Sequence, residues 1–132
     1  MPTPLPVSEA YARHPDHTIT VAPHEGRVVV RFGGVVVAES ERALALREAS
    51  YPVALYLPFA DCRTAHFRAT DHTTHCPFKG DARYWTLLAD PDDGESGERA
   101  ENAAWGYDEP YAQVAQIAGH VAFYPNKVTI EA

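Results

Sequence analysis

The sequence predicts a mainly β domain, built either as an antiparallel barrel or as a two-sheet sandwich, with two short helices. Seven or eight short segments are apolar or alternate apolar with polar residues, and turn residues separate them. Only two segments carry helix boundary signals. A chain of 132 residues is long enough for one hydrophobic core and too short for two, so we expect a single domain.

The N-terminal region differs from the rest. Residues 1–16 contain four prolines and almost no apolar periodicity, which is typical of an extended arm. We therefore expect an extended arm over residues 1–16 and one β-rich domain over residues 17–132.

The first half of the domain is expected to form a hairpin, a helix and two strands. Gly33-Gly34 separates two Val-rich runs, and this pair permits the positive φ angles of a tight hairpin turn. Ser40 can cap a helix that Tyr51-Pro52 would end. The expected elements are strands at 27–32 and 35–38, a helix at 43–47, and strands at 53–57 and 65–70.

The second half is expected to add four strands and a second helix. Residues 90–99 are acidic and contain glycine and proline, as a surface loop between paired strands does. Asp108 and Pro110 begin an amphipathic segment that Gly119 ends. The expected strands are 82–88, 101–107, 121–124 and 128–130, the last two forming a closing pair around Pro125-Asn126.

Composition excludes several partners. The formal net charge is −7 and the basic residues are scattered, whereas nucleic-acid binding needs clustered Lys and Arg. No apolar run is long enough for a membrane span, and the N-terminus lacks a signal-peptide pattern. We expect a cytoplasmic protein with no nucleic-acid or membrane partner, in which Cys62 and Cys76 remain free thiols.

Residues 72–80 contain the densest cluster of reactive side chains, His-Thr-Thr-His-Cys-Pro-Phe-Lys-Gly. Lysine is rare in this chain, so Lys79 is not part of a Lys-rich surface. Buried among apolar groups it would become a base or nucleophile, but beside Glu48 or Asp61 it would stay a fixed positive charge that pins the loop. Cys76 would be a nucleophile if a histidine activated it, and otherwise a small buried apolar residue.

The cluster and several other segments resemble one family in a single register over about residues 25 to 130. The Cys-Pro-Phe-Lys-Gly segment is the most specific part. The other matching segments are 35–40, Glu48, Tyr51-Pro52, 56–58, Asp61, Tyr84-Trp85, 103–105, Tyr107, Pro110 and 119–125. Together they resemble the domain of unknown function family number 427, which also carries a nucleotidyltransferase-like label.

This resemblance implies a compact β-rich single domain. The residues themselves give no independent support for nucleotidyl transfer, because the chain has no glycine-rich phosphate loop of standard spacing. Its one paired-carboxylate segment, Asp90-Pro91-Asp92-Asp93, is typical of a solvated acidic turn.

The candidate site residues fall into three groups. The catalytic candidates are Lys79, Cys76, Glu48, Asp61 and His75. The ligand-binding candidates are Thr73, Thr74, Gly80, Trp105 and Tyr107, since hydroxyls, an amide and aromatic walls suit a polar ligand. A minority hypothesis is zinc, with His72 and Cys62 as ligands; it is weakened because adjacent His75 and Cys76 would point to opposite faces of an extended segment.

Two functions follow from these residues. In the first, the loop at 72–80 binds a small polar or phosphorylated metabolite and could catalyse a reaction on it; whether a cofactor takes part is unknown from the sequence. In the second, the domain is a binding or interaction module in which this loop is structural, and an exposed sheet edge or apolar patch could form a homodimer.

Overall fold

A computed structural model describes residues 5–92 and 97–132 of the chain, in which ten strands form two antiparallel sheets. The predicted mainly β sandwich is confirmed. The strands are β1 (Ile19–Pro23), β2 (Val28–Phe32), β3 (Val35–Ser40), β4 (Leu44–Glu48), β5 (Ala54–Pro58), β6 (Phe67–Cys76), β7 (Gly80–Leu88), β8 (Arg99–Gly106), β9 (His120–Phe123) and β10 (Thr129–Glu131).

The larger sheet has the strand order β1-β4-β5-β9-β8-β7-β6, and the smaller has the order β10-β2-β3. The barrel alternative is wrong, because β1 and β6 are opposite edges of the large sheet and no backbone pairing joins them in the described residues. Side chains near the two edges nevertheless touch at one end, as described below. The sheet is therefore strongly curled without being closed.

The predicted hairpin is confirmed, since β2 and β3 pair across Gly33 and Gly34, which have φ angles of +59° and +81°. The strands expected at 53–57, 82–88 and 101–107 are also present as β5, β7 and β8.

The helix expected at 43–47 is wrong: this segment is β4, paired with β1 on one side and β5 on the other. The Ser40 hydroxyl does accept a hydrogen bond from the backbone N–H of Arg42, at 2.9 Å. It stabilises a turn between two strands instead of a helix N-terminus. Pairing along both edges of β4 overrides the local helix preference.

Three further expectations change. The 72–80 cluster is not a loop, because β6 continues to Cys76 and only residues 77–79 form the turn before β7. The second predicted helix is a shorter 3-10 helix, Ala112–Ile117. The closing pair is wrong, since β9 lies between β5 and β8 while β10 pairs with β2 in the other sheet.

The N-terminal segment contacts the β6–β7 turn. Ala10–Arg13 forms one turn of helix, labelled α1, in the region where an extended arm is expected. The Ser8 hydroxyl donates to the Pro77 carbonyl at 2.5 Å, and the Tyr11 hydroxyl donates to the Phe78 carbonyl at 2.6 Å. The division of the chain into an arm and a domain at residue 16 stays a prediction.

The large sheet has an apolar cluster on each face. One lies between the two sheets and includes Val30, Leu57, Leu87 and Val121; we call this side of the large sheet the sandwich face. On the other side, Val114 and Ile117 of the 3-10 helix pack over a set of aromatic residues. We call this side the aromatic face; its aromatic residues include Tyr56, Tyr84, Trp105 and Tyr124.

Two other expectations concern particular segments. None of the helices in the described part of the chain has the length and apolar character needed to cross a bilayer.

In the acidic loop, the Asp92 N–H donates to the Asp90 carboxylate at 2.9 Å, as in a solvated turn. Residues 93–96 of that loop lie outside the described residues.

Gly106 permits the close pairing of β8 with β9. A Cβ added there would lie 2.6 Å from the His120 carbonyl oxygen, which belongs to backbone and cannot rotate away. Gly106→Ala should therefore lower the free energy of unfolding by about 3 kcal/mol, measured by urea denaturation. The control is Gly26→Ala, where φ is +102° and nothing lies within 4 Å, so that backbone strain of about 1–2 kcal/mol is the only cost. Equal losses in the two variants would contradict this account.

Candidate functional site

The β6–β7 hairpin presents its cluster residues on two opposite faces. Residues directly opposite one another in an antiparallel pair share a face, and neighbours along a strand alternate. Thr74 pairs with Ala82, which lies two positions before Tyr84, so Thr74 is on the aromatic face. Thr73 pairs with Arg83, which lies two positions before Trp85, so Thr73 is on the sandwich face. The cluster that is continuous in sequence is thus divided between two surfaces.

Lys79 is held by a carboxylate from the far side of the large sheet. Its Nζ lies 2.6 Å from Oε1 of Glu48, the last residue of β4. The second carboxylate oxygen, Oε2, lies 2.8 Å from Nε2 of His17, which precedes β1. Because β4 and β1 lie at one edge and β6 at the other, these contacts join the two edges of the curled sheet. We call the three side chains the edge clamp.

The edge clamp keeps Glu48 ionised. Burial alone would raise the pKa of this carboxyl, but hydrogen bonds from Lys79 and His17, together with their charges, outweigh burial and lower the pKa below its ordinary value. Of the two partners that the sequence offered for Lys79, the structure selects Glu48. Lys79 is a paired ammonium here, the arrangement expected if it pins the turn.

Phe78 adds aromatic contacts to the same place. The ring of His17 stacks on Phe78 with the centroids 4.1 Å apart, and Tyr11 meets it edge-on at 5.2 Å. Such contacts contribute about 0.5–1.5 kcal/mol each beyond the burial of area. The turn is therefore fixed by charge, stacking and the backbone acceptors of Pro77 and Phe78.

Cys76 lies on the aromatic face among buried phenols. Burial, with smaller contributions from the nearby Cys76 and Glu48, raises the pKa of Tyr11 to about 12. Burial is also the main cause of the raised pKa of Tyr107, with Tyr56 and Cys76 contributing. These phenols therefore remain neutral. In the described part of the chain no histidine is hydrogen-bonded to Cys76, and a catalytic role for this thiol stays a prediction.

The sandwich face of the hairpin carries an open groove made of two adjoining cavities. The first, of about 470 Å³, is lined by Thr73, His75, Gly80, Asp81, Arg83, Asp108, Glu109, Tyr111 and others. The second, of about 350 Å³, is lined by Phe59, Arg83, Trp85, Gly106, Tyr107, Asp108, His120 and others. Arg83 and Asp108 belong to both cavities. We call the combined space the hairpin groove.

The two ends of the hairpin groove differ in chemistry. At one end Phe59 stacks on Trp85 with the centroids 5.4 Å apart, and the Arg83 guanidinium lies 4.6 Å from the centre of the Trp85 ring. The other end has three carboxylates, on Asp81, Asp108 and Glu109. The groove thus offers a flat apolar wall at one end and negative charge at the other.

His75 is the one histidine of the cluster in this groove. Its Nδ1 lies 2.7 Å from the Asp81 carboxylate. A carboxylate at this position favours a proton on Nδ1 and leaves Nε2 able to accept one from a bound molecule. His75 and Cys76 face opposite sides of the strand, as the alternation predicts.

Other predicted site residues lie elsewhere. Asp61 accepts hydrogen bonds from Ser40 at 2.6 Å and Arg42 at 3.0 Å, which lower its pKa, and it is remote from Lys79 in the fold, beside β3. Cys62 is buried between the sheets, and burial, with the charge of Asp61, raises its pKa to about 12. His72 packs against Tyr84, with the ring centroids 4.5 Å apart.

This arrangement does not support the zinc hypothesis. Cys62 belongs to the core between the sheets, whereas His72 packs on the aromatic side of β6 and β7. Across residues 5–92 and 97–132, no group of three or more His, Cys, Asp or Glu side chains is arranged to hold a metal ion.

The ligand-binding candidates are likewise divided. Thr74 is hydrogen-bonded to the Tyr84 hydroxyl at 2.9 Å, and the Trp105 indole N–H donates to Tyr56 at 3.2 Å, both on the aromatic face. Thr73 lines the hairpin groove. Tyr107 lines it too, although its side chain packs in the cluster of the aromatic face. Gly80 also lines the groove. Its φ of +116° by itself explains why glycine occupies this position. A single cradle of Thr73, Thr74 and Lys79 does not form.

Sequence reasoning missed His17, Arg83 and Asp108. Nothing in the local sequence marks His17, since its partner Glu48 lies 31 residues away. Arg83 could have been identified from the sequence, because it is a charged residue inside an apolar strand and lies two positions before a tryptophan.

A curled, two-sheet β domain with a partly aromatic, partly acidic groove is the class of protein that these features define. The chain belongs to the family described as "Domain of unknown function (DUF427)", labelled NTP_transf_9, whose model matches residues 20–132. No curated protein matches the chain. The resemblance inferred from the cluster is thereby confirmed.

Lys79→Met should destabilise the fold by about 2 kcal/mol, because it removes a charged hydrogen bond and leaves the Glu48 carboxylate with His17 alone. The free energy of unfolding, measured by urea denaturation, checks this. The double variant, Glu48→Gln with Lys79→Met, should lose less free energy of unfolding than the sum of the losses in the two single variants. The reason is that both substitutions remove the same interaction.

Arg42→Met is the matched control. Its pair with Asp61 is more exposed, and such pairs contribute about 1 kcal/mol or less. A Lys79→Met variant as stable as the native chain would overturn the clamp as a structural device.

The lowered pKa of Glu48 makes stability depend on pH. In the unfolded chain this carboxyl titrates at its ordinary value of 4.5, so the folded protein gains stability above about pH 4.5 and loses it as the pH falls through the lower folded value. Melting temperatures measured from neutral pH down to about pH 3 should fall less steeply in Glu48→Gln than in the native chain. Glu25→Gln, at an exposed loop position, is the control; parallel curves for all three proteins would contradict the prediction.

Proposed function

We propose that this domain binds a small amine with a flat apolar part in the hairpin groove. The observation that carries the proposal is that the cavity beside Phe59 and Trp85 shares Arg83 and Asp108 with the cavity lined by three carboxylates. A ligand with an aromatic ring and an ammonium group matches both ends at once. It is one member of the class of small polar metabolites that the sequence suggests.

Charge favours an amine over a phosphorylated ligand. Arg83 is the only arginine or lysine lining the first cavity, and it lies 3.6 Å from the Asp108 carboxylate. The net charge of the chain, −7, repels anions further. A phosphate in this groove would face Asp81, Asp108 and Glu109 with one paired guanidinium to hold it.

Size and shape also fit such a ligand. Cavities of about 300–1,000 Å³ with apolar walls and a few converging polar groups are typical small-molecule sites. The two parts of the groove measure about 470 and 350 Å³ and share Arg83 and Asp108. An ammonium group near Asp108 would leave a connected ring within reach of Trp85. His75, oriented by Asp81, gives this site one ring nitrogen that can form a hydrogen bond with the ligand.

The interaction-module alternative has one feature in its favour, the open edge of β6. This strand runs over ten residues that are mostly exposed and has no partner on its outer side in the described residues. However, β6 bulges between Ala69 and Thr73, where it carries Asp71 and His72, and Arg68 lies just before the bulge. Bulges and charges are the devices by which edge strands resist pairing with another chain. We therefore favour the ligand-binding function over a homodimer through this edge.

The test compares three probes by following backbone amide signals in NMR titrations. Tryptamine has a flat ring and an ammonium group, indole-3-acetate has the same ring with a carboxylate, and inorganic phosphate has charge alone. Tryptamine should shift amides of β7 and of the segment around Asp108 in a saturable way. Indole-3-acetate and phosphate should bind at least about tenfold more weakly, because the carboxylates repel them.

Two variants localise the binding. Asp108→Asn should weaken tryptamine binding, because it removes one of the carboxylates, whereas Asp92→Asn makes the same charge change at an exposed position outside the groove and should leave binding unchanged. Saturable binding of indole-3-acetate or phosphate in place of tryptamine would sink the amine proposal. So would equal weakening by the two substitutions.

A further inference from the structure

A second cleft lies on the aromatic face, on the opposite side of β7 from the hairpin groove. It measures about 450 Å³ and is lined by His72, Tyr84, Glu101, Asn102, Tyr124, Asn126 and Lys127. None of these residues lines the hairpin groove. We call it the bulge cleft, because two irregularities of the sheet form its wall.

Both strands that flank β7 bulge at this cleft. Between the pairs Ala69–Trp85 and Thr73–Arg83, β6 has residues 70–72 where β7 has only Tyr84. Between the pairs Trp85–Ala104 and Leu87–Ala100, β8 has residues 101–103 where β7 has only Thr86. Bulges turn side chains away from the regular alternation and are over-represented next to functional sites. His72, Glu101 and Asn102 of the cleft wall all come from the two bulges.

Hydrogen bonds lock the two bulges together across β7. The Thr70 hydroxyl donates to Oδ1 of Asn102 at 2.7 Å, and the Asn102 backbone N–H donates to the Thr86 hydroxyl at 3.2 Å. Asn102 has a φ of +50°, a left-handed conformation that asparagine adopts more readily than most residues. Thr70 uses Oδ1, and among residues 5–92 and 97–132 no acceptor is hydrogen-bonded to the Nδ2 group of this amide, which can therefore donate to a ligand.

Neutral hydroxyl groups complete the wall. The Tyr84 hydroxyl lies 2.9 Å from that of Thr74 and 3.4 Å from that of Tyr124. Burial, then the hydrogen bond with Tyr84, raises the pKa of Tyr124 to about 12, so the Tyr124 hydroxyl stays protonated at neutral pH. Each hydroxyl can donate and accept, as can the neighbouring amide of Asn126.

We propose that the bulge cleft binds a neutral molecule rich in hydroxyl groups, of the size of a monosaccharide. Amide and phenol groups can donate to and accept from the hydroxyl groups of a sugar ring. The charged groups at the cleft, Lys127 and Glu101, have opposite signs and give no net preference for an ion. This site is independent of the amine site, since adjacent residues of β7 point to opposite faces.

NMR titration of the full chain tests this inference with five probes: glucose, galactose and mannose as neutral sugars, glucosamine as a cation and glucuronate as an anion. At least one neutral sugar should shift the amides around His72, Tyr84 and Asn102 with a dissociation constant in the millimolar range. The charged analogues should bind no more tightly than the neutral sugar. No saturable shift by any neutral sugar up to about 100 mM, or binding by the charged analogues alone, would overturn the proposal.

Asn102→Gly is the informative variant, because glycine keeps the left-handed backbone and removes the amide. It should weaken sugar binding about threefold to tenfold, the effect of losing one or two neutral hydrogen bonds. Tyr124→Phe provides a second variant, which removes one hydroxyl and keeps the ring. Tyr111→Phe, in the hairpin groove, is the matched control and should bind the sugar as the native chain does. Unchanged affinity in both cleft variants would refute the assignment.

Discussion

The edge clamp of Lys79, Glu48 and His17 is the interaction on which the arrangement of this domain depends. It joins the β6–β7 turn to β4 and to the segment before β1, which are near opposite edges of a seven-stranded sheet. A sheet of this size accumulates twist and curls, but curling alone does not decide where its edges meet. A short charge-assisted contact, supported by the stacking of His17 on Phe78, decides it here. The clamp also explains why a reactive-looking lysine sits in the cluster without being free to react.

Alternation along β6 and β7 then divides the cluster into two separate environments. Thr74 and Cys76 face the buried phenols, whereas Thr73 and His75 face an open, acidic groove. Neighbours in sequence therefore experience different electrostatics, and no single reaction centre can use all of them. This division favours two modest binding sites over one site made from the whole segment.

The sequence predicted the mainly β class, with a sandwich as one of two alternatives, the β2–β3 hairpin and the strand character of β5, β7 and β8, because these depend on local pattern and turn chemistry. It failed at β4, where pairing on both edges outweighs a plausible serine cap. Within the site, the partner of Lys79 could be narrowed to Glu48 or Asp61 but not chosen, since the choice depends on how the sheet curls. The hairpin groove was not predictable, because Arg83, Asp108 and Trp85 converge only through strand pairing.

The two bulges beside β7 influence which side chains face each of the two clefts. A one-residue slip in the pairing of β6 with β7 would turn every side chain of β6 to the other face. The histidine of the acidic groove would then lie among the phenols, and the thiol of Cys76 would face solvent. The β6 bulge in the middle of the ladder, and the positive φ of Gly80 at the turn, fix the register of the hairpin. Irregular backbone therefore keeps two chemistries separate on a single strand pair.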